Sequence, residues 1–177
     1  MLTTSRVMSM LTLFVLALFG VSGLIGGLLP RQHHVESTVF LHEPPEEVWQ
    51  MISDVPASAL WRENVVKVQR LPDHAGHPLW RTVTDGGDWD IEMRDAHAPL
   101  QLTLASVDST RGFGDAWTLV LTPQANGTLL RICEDGYVDH PVFRFFFQVA
   151  DGFHRQQRHF LLDLGHAFGE QVHPRAV

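Results

Sequence analysis

The chain has 177 residues, 45% of them hydrophobic, which suits one well-cored domain with an appendage rather than two domains. All 20 acidic residues, and every basic residue except Arg6, lie beyond Pro30, giving that part a balance of −8 with histidines neutral. Such a charge repels phosphate backbones and anionic headgroups, which disfavours nucleic-acid binding and leaves no polybasic lipid clamp.

The first element is apolar. Val7 to Leu29 is a run of 23 residues without a charge, and as a helix it would span roughly 34 Å, against a hydrocarbon core of about 30 Å. Residues 1–30 read as a transmembrane anchor, with residues 31–177 forming the domain. A cleaved secretory signal competes, because Val21-Ser22-Gly23 offers small residues at a cleavage point. Against it, the apolar run continues through Leu28 and Leu29, beyond the length of an ordinary signal core. Arg6 on one side is matched by Arg31 on the other, so the positive-inside count is nearly tied. The lean is a single-pass membrane protein with its domain on the outer, periplasmic-type face.

Val35 to Leu41 alternates as a half-buried strand. Pro44 and Pro45 stop it, and Pro45, Glu46 and Glu47 suit a helix start: proline has no N–H to waste there, and carboxylates favour the positive end of the dipole. A second short helix is predicted over Ala57 to Arg62. Six strands follow, over Val65–Leu71, Leu79–Thr84, Trp89–Arg94, Leu100–Val107, Ala116–Thr122 and Thr128–Glu134. Asp85-Gly86-Gly87 and Asn126-Gly127 supply the turn residues of tight hairpins, so the strands they join must be antiparallel. From Pro141 to Glu170 the period becomes about 3.6, predicting one long amphipathic helix, with a break placed near Asp151-Gly152.

Trp49 in the first domain helix, Asp54 seven residues before Trp61, the Trp117-Thr118 pair and Gly127-Thr128 at the start of the last strand carry a resemblance. With this order of elements, the chain resembles the START-like superfamily, also called SRPBCC or polyketide cyclase/dehydrase-like, over about residues 34–170. The resemblance implies an α+β helix-grip fold, a seven-stranded antiparallel curved sheet wrapped around a long C-terminal helix. It also implies an apolar ligand held between sheet and helix, with Trp61 at the rim of the groove. These are patterns of packing and turns, and they specify fold far better than activity.

If alternate strand residues face the helix, Trp89, Ile91 and Met93 share the inner face, with Leu100, Leu102 and Leu104 and with Trp117, Leu119 and Leu121. Asp90, Glu92 and Arg94 then look outward. Phe146, Phe153 and Phe160 would oppose the sheet, making an interior that is either ordinary core or a ligand tunnel. Gln157 lies on the same stripe and is a candidate polar anchor, or reaches solvent at its edge. Glu134 shares a strand phase with Leu130 and Ile132, so it either points into the cavity, where burial would raise its pKa, or ends the strand in solvent.

Other chemistry finds little support. His159, His166 and Glu170 could share a helix face, but no HExxH or comparable spacing occurs, and no metal or cofactor is predicted. Gly112-Phe113-Gly114 lies between strands, without the helix N-terminus that a phosphate cradle needs. Cys133 is the only cysteine, which precludes an intrachain disulfide and a cysteine metal cluster. Binding, with transfer as an extension, of a hydrophobic small molecule or lipid beside a membrane ranks first. A non-catalytic interaction module comes second, and a cyclase- or dehydratase-type enzyme last, because it needs convergent polar groups deep in the cavity.

Overall fold

A computed structural model describes residues 4–107, 112–149 and 152–177. Helix α1 (Thr4–Leu28) precedes β1 (Gln32–Leu41), α2 (Pro45–Ser53), α3 (Ser58–Trp61) and β2 (Val65–His74). Then come β3 (His77–Thr84), β4 (Gly87–His97), β5 (Gln101–Ser106), β6 (Phe113–Gln124), β7 (Gly127–Val138), α4 (Pro141–Val149), α5 (Gly152–Ala167) and β8 (Arg175–Ala176). The strands form one sheet in the order β2-β3-β4-β5-β6-β7-β1-β8, and every pairing is antiparallel. This is the helix-grip arrangement. The eighth strand adds only two residues to the outer edge of β1, pairing Ala176 with Ser37 and Arg175 with Thr38.

Local chemistry accounts for the joints. Proline at the start of α2, with Glu46 and Glu47 in its first turn, lets the Pro44 carbonyl accept from Glu47 and Val48, while Val48 and Ile52 turn into the core. The Asp54 carboxylate accepts from the Ala57 N–H at 3.2 Å and turns the chain into α3. Helix α5 ends where Gly169, at φ +72°, takes the left-handed conformation that closes a helix, and the Glu170 N–H returns to the Gly165 carbonyl at 2.8 Å.

The core lies between the inner sheet face and α5, with Leu41, Val48, Leu102, Leu119, Leu130, Ile132, Leu161 and Leu164 at its centre. The one long helix expected from the periodicity is two helices, α4 and α5. Residues 150 and 151, where the break was placed, lie outside the described set. Helix α1 contains a stretch, Arg6–Leu28, long and apolar enough to cross a membrane, a test that a signal sequence also passes. It packs on α4 and contributes no side chain to the core cluster.

Candidate ligand groove

Between α5 and the inner faces of β3 to β7 lies a groove of about 720 Å³. The strand register builds its floor: Thr82 stands opposite Trp89, and Leu104 opposite Trp117, which stands opposite Glu134. Ile91, Leu119 and Phe113 continue the apolar wall. On the other side α5 contributes Gln156, His159, Phe160 and Asp163, α4 contributes Phe147, and the turn after α3 contributes Arg62, Glu63 and Asn64.

One end of the wall is polar. Glu134 is only 4% exposed, and both of its oxygens are engaged. His33 Nε2 lies 3.1 Å from Oε1, and Gln157 Nε2 donates to Oε2 at 3.2 Å while also reaching the Val35 carbonyl at 3.2 Å. Residues two apart on β1 share a face, so His33 falls on the same side as Val35, which pairs with Glu134. The space for the imidazole comes from Gly136, directly opposite His33, where a Cβ would run into the ring. Gln157 is fully buried behind Glu134, and its Oε1 has no hydrogen-bond partner among the described residues.

The second polar region is organised by Phe160. Trp61 and Trp117 meet its ring edge-on at centroid distances of 5.3 and 5.7 Å, and the Arg62 guanidinium stands 5.3 Å over it. Burial lowers the Arg62 pKa, opposed by the charge of Asp163. Burial likewise raises the Asp163 pKa, opposed mainly by the Glu63 N–H, which donates to its Oδ2 at 3.2 Å. The indole N–H groups of Trp61 and Trp117 are buried without a hydrogen-bond partner among the described residues. Buried donors are normally satisfied, and of these two Trp117 lines the groove, where its N–H is available to an acceptor that enters.

Of the residues expected from sequence, Trp89, Ile91, Trp117, Leu119, Glu134 and Phe160 stand on the groove wall. Leu102 lies in the closed core, with Trp61 and Met93 packed against it, and Gln157 supports Glu134 from behind. Phe146 faces outward at 45% exposure, because the helical phase does not carry from α4 into α5, and Phe147 takes the groove side instead. Phe153 falls within α5, but its side chain lies outside the described residues. Glu92 faces outward as expected yet is buried beneath His74 and Arg94, which approach its carboxylate at 2.7 and 2.6 Å. Glu170 lies past the end of α5 and accepts from the His42 N–H at 2.9 Å. Among the described residues no group of three His, Cys, Asp or Glu is placed to hold a metal ion.

His33, Arg62, Asp163 and Phe147 were missed. His33 shares the phase of Val35, Ser37, Val39 and Leu41, so extending that strand by two residues would have found it. Arg62 and Asp163 carry no comparable signal, because their meeting depends on where α3 lands against α5.

The family model described as polyketide cyclase / dehydrase and lipid transport matches residues 32–166. The chain belongs to this family. Among solved structures it is similar to the Zhui aromatase/cyclase from Streptomyces sp. R1128, at TM-score 0.61 and 17% identity, covering 75% of this chain and 91% of that one. A START superfamily protein from Mycobacterium smegmatis matches at TM-score 0.58 and 18% identity, covering 75% and 94%. Truncated norcoclaurine synthase from Thalictrum flavum matches at TM-score 0.60 and 8% identity, covering 79% and 95%. At these identities the likeness is one of fold. No match was found among curated proteins.

Proposed function

We propose that this member of the polyketide cyclase / dehydrase and lipid transport family binds a hydrophobic small molecule or lipid with a polar end, held close to a membrane by α1. The observation that carries the reading is the groove: apolar aromatic walls that converge on Glu134 and His33 at one end and on Arg62 at the other. Burying about 300 Å² of apolar ligand at roughly 25 cal/mol per Å² gains about 7.5 kcal/mol before association costs. The polar groups then select among apolar molecules by what each presents to them. The test is to purify the full chain into nanodiscs of one synthetic phosphatidylcholine, extract it with organic solvent and identify the extract by mass spectrometry. A stoichiometric amphiphile other than the nanodisc lipid is the expected result; its absence, with no apolar dye taken up by the groove, would sink the reading.

A second reading, an acid–base enzyme on the same fold, is favoured by the contact between Glu134 and His33 on the groove wall. It requires turnover that Glu134→Gln abolishes while ligand binding persists. Transfer of the bound molecule between membranes extends the first reading and is tested by exchange of the extracted ligand between two vesicle populations.

A further inference from the structure

Helix α4 carries an apolar face that stays substantially exposed, with the His140 ring against Phe143 at 5.1 Å and Phe145 against Phe146 at 5.5 Å. Phe143 is 50% exposed, Phe146 45% and Val149 68%, and at spacings of three they lie on one side of the helix. The other side is fixed in place. Arg144 is 8% exposed, and its guanidinium donates to the Leu29 carbonyl at 2.6 Å and to the Asp139 carbonyl at 3.4 Å. Gly26 of α1 meets Pro141 so closely that a Cβ there would overlap the proline carbonyl, and Gly23 faces Val142. Helix α4 is therefore locked to the last turns of α1, where the apolar stretch Arg6–Leu28 ends.

That attachment decides what covers the free face. Packed helices lie about 8–10 Å apart, so a helix docked beside the end of a membrane-spanning helix sits at headgroup level. Residues 141–149 include none of the 20 acidic residues of the chain, and Arg144 already serves two carbonyls, so no charge carried by α4 itself opposes insertion. An amphipathic helix at this depth sinks its apolar side about 5–10 Å into the headgroup–acyl boundary. We infer that α4 is an interfacial helix whose Phe143–Phe146–Val149 face inserts into the lipid leaflet around the end of α1. The inference rests on the membrane tether proposed above. It also gives the groove a position, since Phe147 of the same helix forms part of its wall: the ligand site stands directly behind the inserted face.

The experiment uses the full chain with Cys133→Ser, carrying either Phe146→Cys or Val66→Cys labelled with an environment-sensitive nitrobenzoxadiazole dye. Val66 is 70% exposed on β2, at the opposite edge of the sheet. Each protein is reconstituted into phosphatidylcholine vesicles with and without a doxyl label at a shallow acyl carbon, and retention after alkaline extraction is measured first. Retention, with quenching by the doxyl lipid severalfold stronger at 146 than at 66, is the expected result. Retention with equal, weak quenching at both sites overturns the interfacial role of α4 and leaves the tether standing. Loss of the protein on alkaline extraction overturns the tether and this inference together. Phe146→Cys chains that form disulfide-linked pairs in vesicles, with no lipid quenching, show that a second copy covers the face and overturn it as well.

Discussion

Glu134 shows how a single position combines fold and chemistry. Its inward phase follows from alternation along β7, but its burial depends on His33 and Gln157, which arrive from β1 and α5. Replacing it by Gln exchanges one of its two oxygen acceptors for an amide donor facing His33 or Gln157; the expected cost is about 1–3 kcal/mol, read as a lower urea midpoint for the full chain in detergent. Gly136→Ala should act through the imidazole, displacing His33 from Glu134 and altering ligand selectivity more than overall stability, as a competition assay with amphiphiles of differing headgroup would report. Phe160→Ala removes the ring on which Trp61, Trp117 and Arg62 all rest, at an expected cost of about 3–5 kcal/mol in thermal or urea unfolding. Two carboxylates should respond to pH in opposite directions. Burial raises the Asp163 pKa, so the folded state holds that proton longer than the unfolded chain, and stability falls as pH rises from about 4 toward the folded value. Asp163→Asn should therefore stabilise the protein at neutral pH and lose that advantage in acid. For Glu92, burial pushes the pKa up but is outweighed by hydrogen bonds from Arg94 and His74, leaving it lowered. Its contribution is present above the ordinary glutamate pKa and is lost as pH falls through the folded value. Unfolding midpoints across acid to neutral pH for the native chain, Asp163→Asn and Glu92→Gln check both signs.

Among the elements, those defined by local pattern were legible and those defined by docking were not. Seven strands and the helix start at Pro45 followed from alternation and turn chemistry, because each signal lies within a few neighbouring residues. The apolar period from Pro141 to Glu170, with its break near Asp151-Gly152, predicts a single stripe that puts Phe146 on the groove side. In the folded chain α4 turns to serve α1, so its phase is set by Gly23, Gly26 and Arg144 rather than by the sheet. Strand β8 was invisible for a similar reason: two residues at an edge carry no period. The close approach of α1 to α4 makes Gly26→Leu disruptive, since even a Cβ there overlaps the Pro141 carbonyl. It should separate the two helices without unfolding the domain, whose core takes nothing from α1. The expected outcome is faster proteolysis around residues 139–152, with near-native thermal unfolding of the sheet.

At the level of the whole molecule, the acidic charge lies in the domain and the long apolar stretch lies in α1. The acidic balance of the domain disfavours anionic lipid, while α1 and α4, which pack on each other, both carry exposed apolar residues. The resemblance implied the fold, but the polar ends of the groove had to be seen in three dimensions. The central claim is that the groove holds a hydrophobic molecule, and the most direct measurement is the amount of amphiphile recovered per chain from native protein and from Leu104→Trp, which fills the groove between Met93 and Trp117. The account predicts one molecule per native chain and little from the filled variant, with circular dichroism unchanged. Equal recovery from both, or none from either, would contradict it.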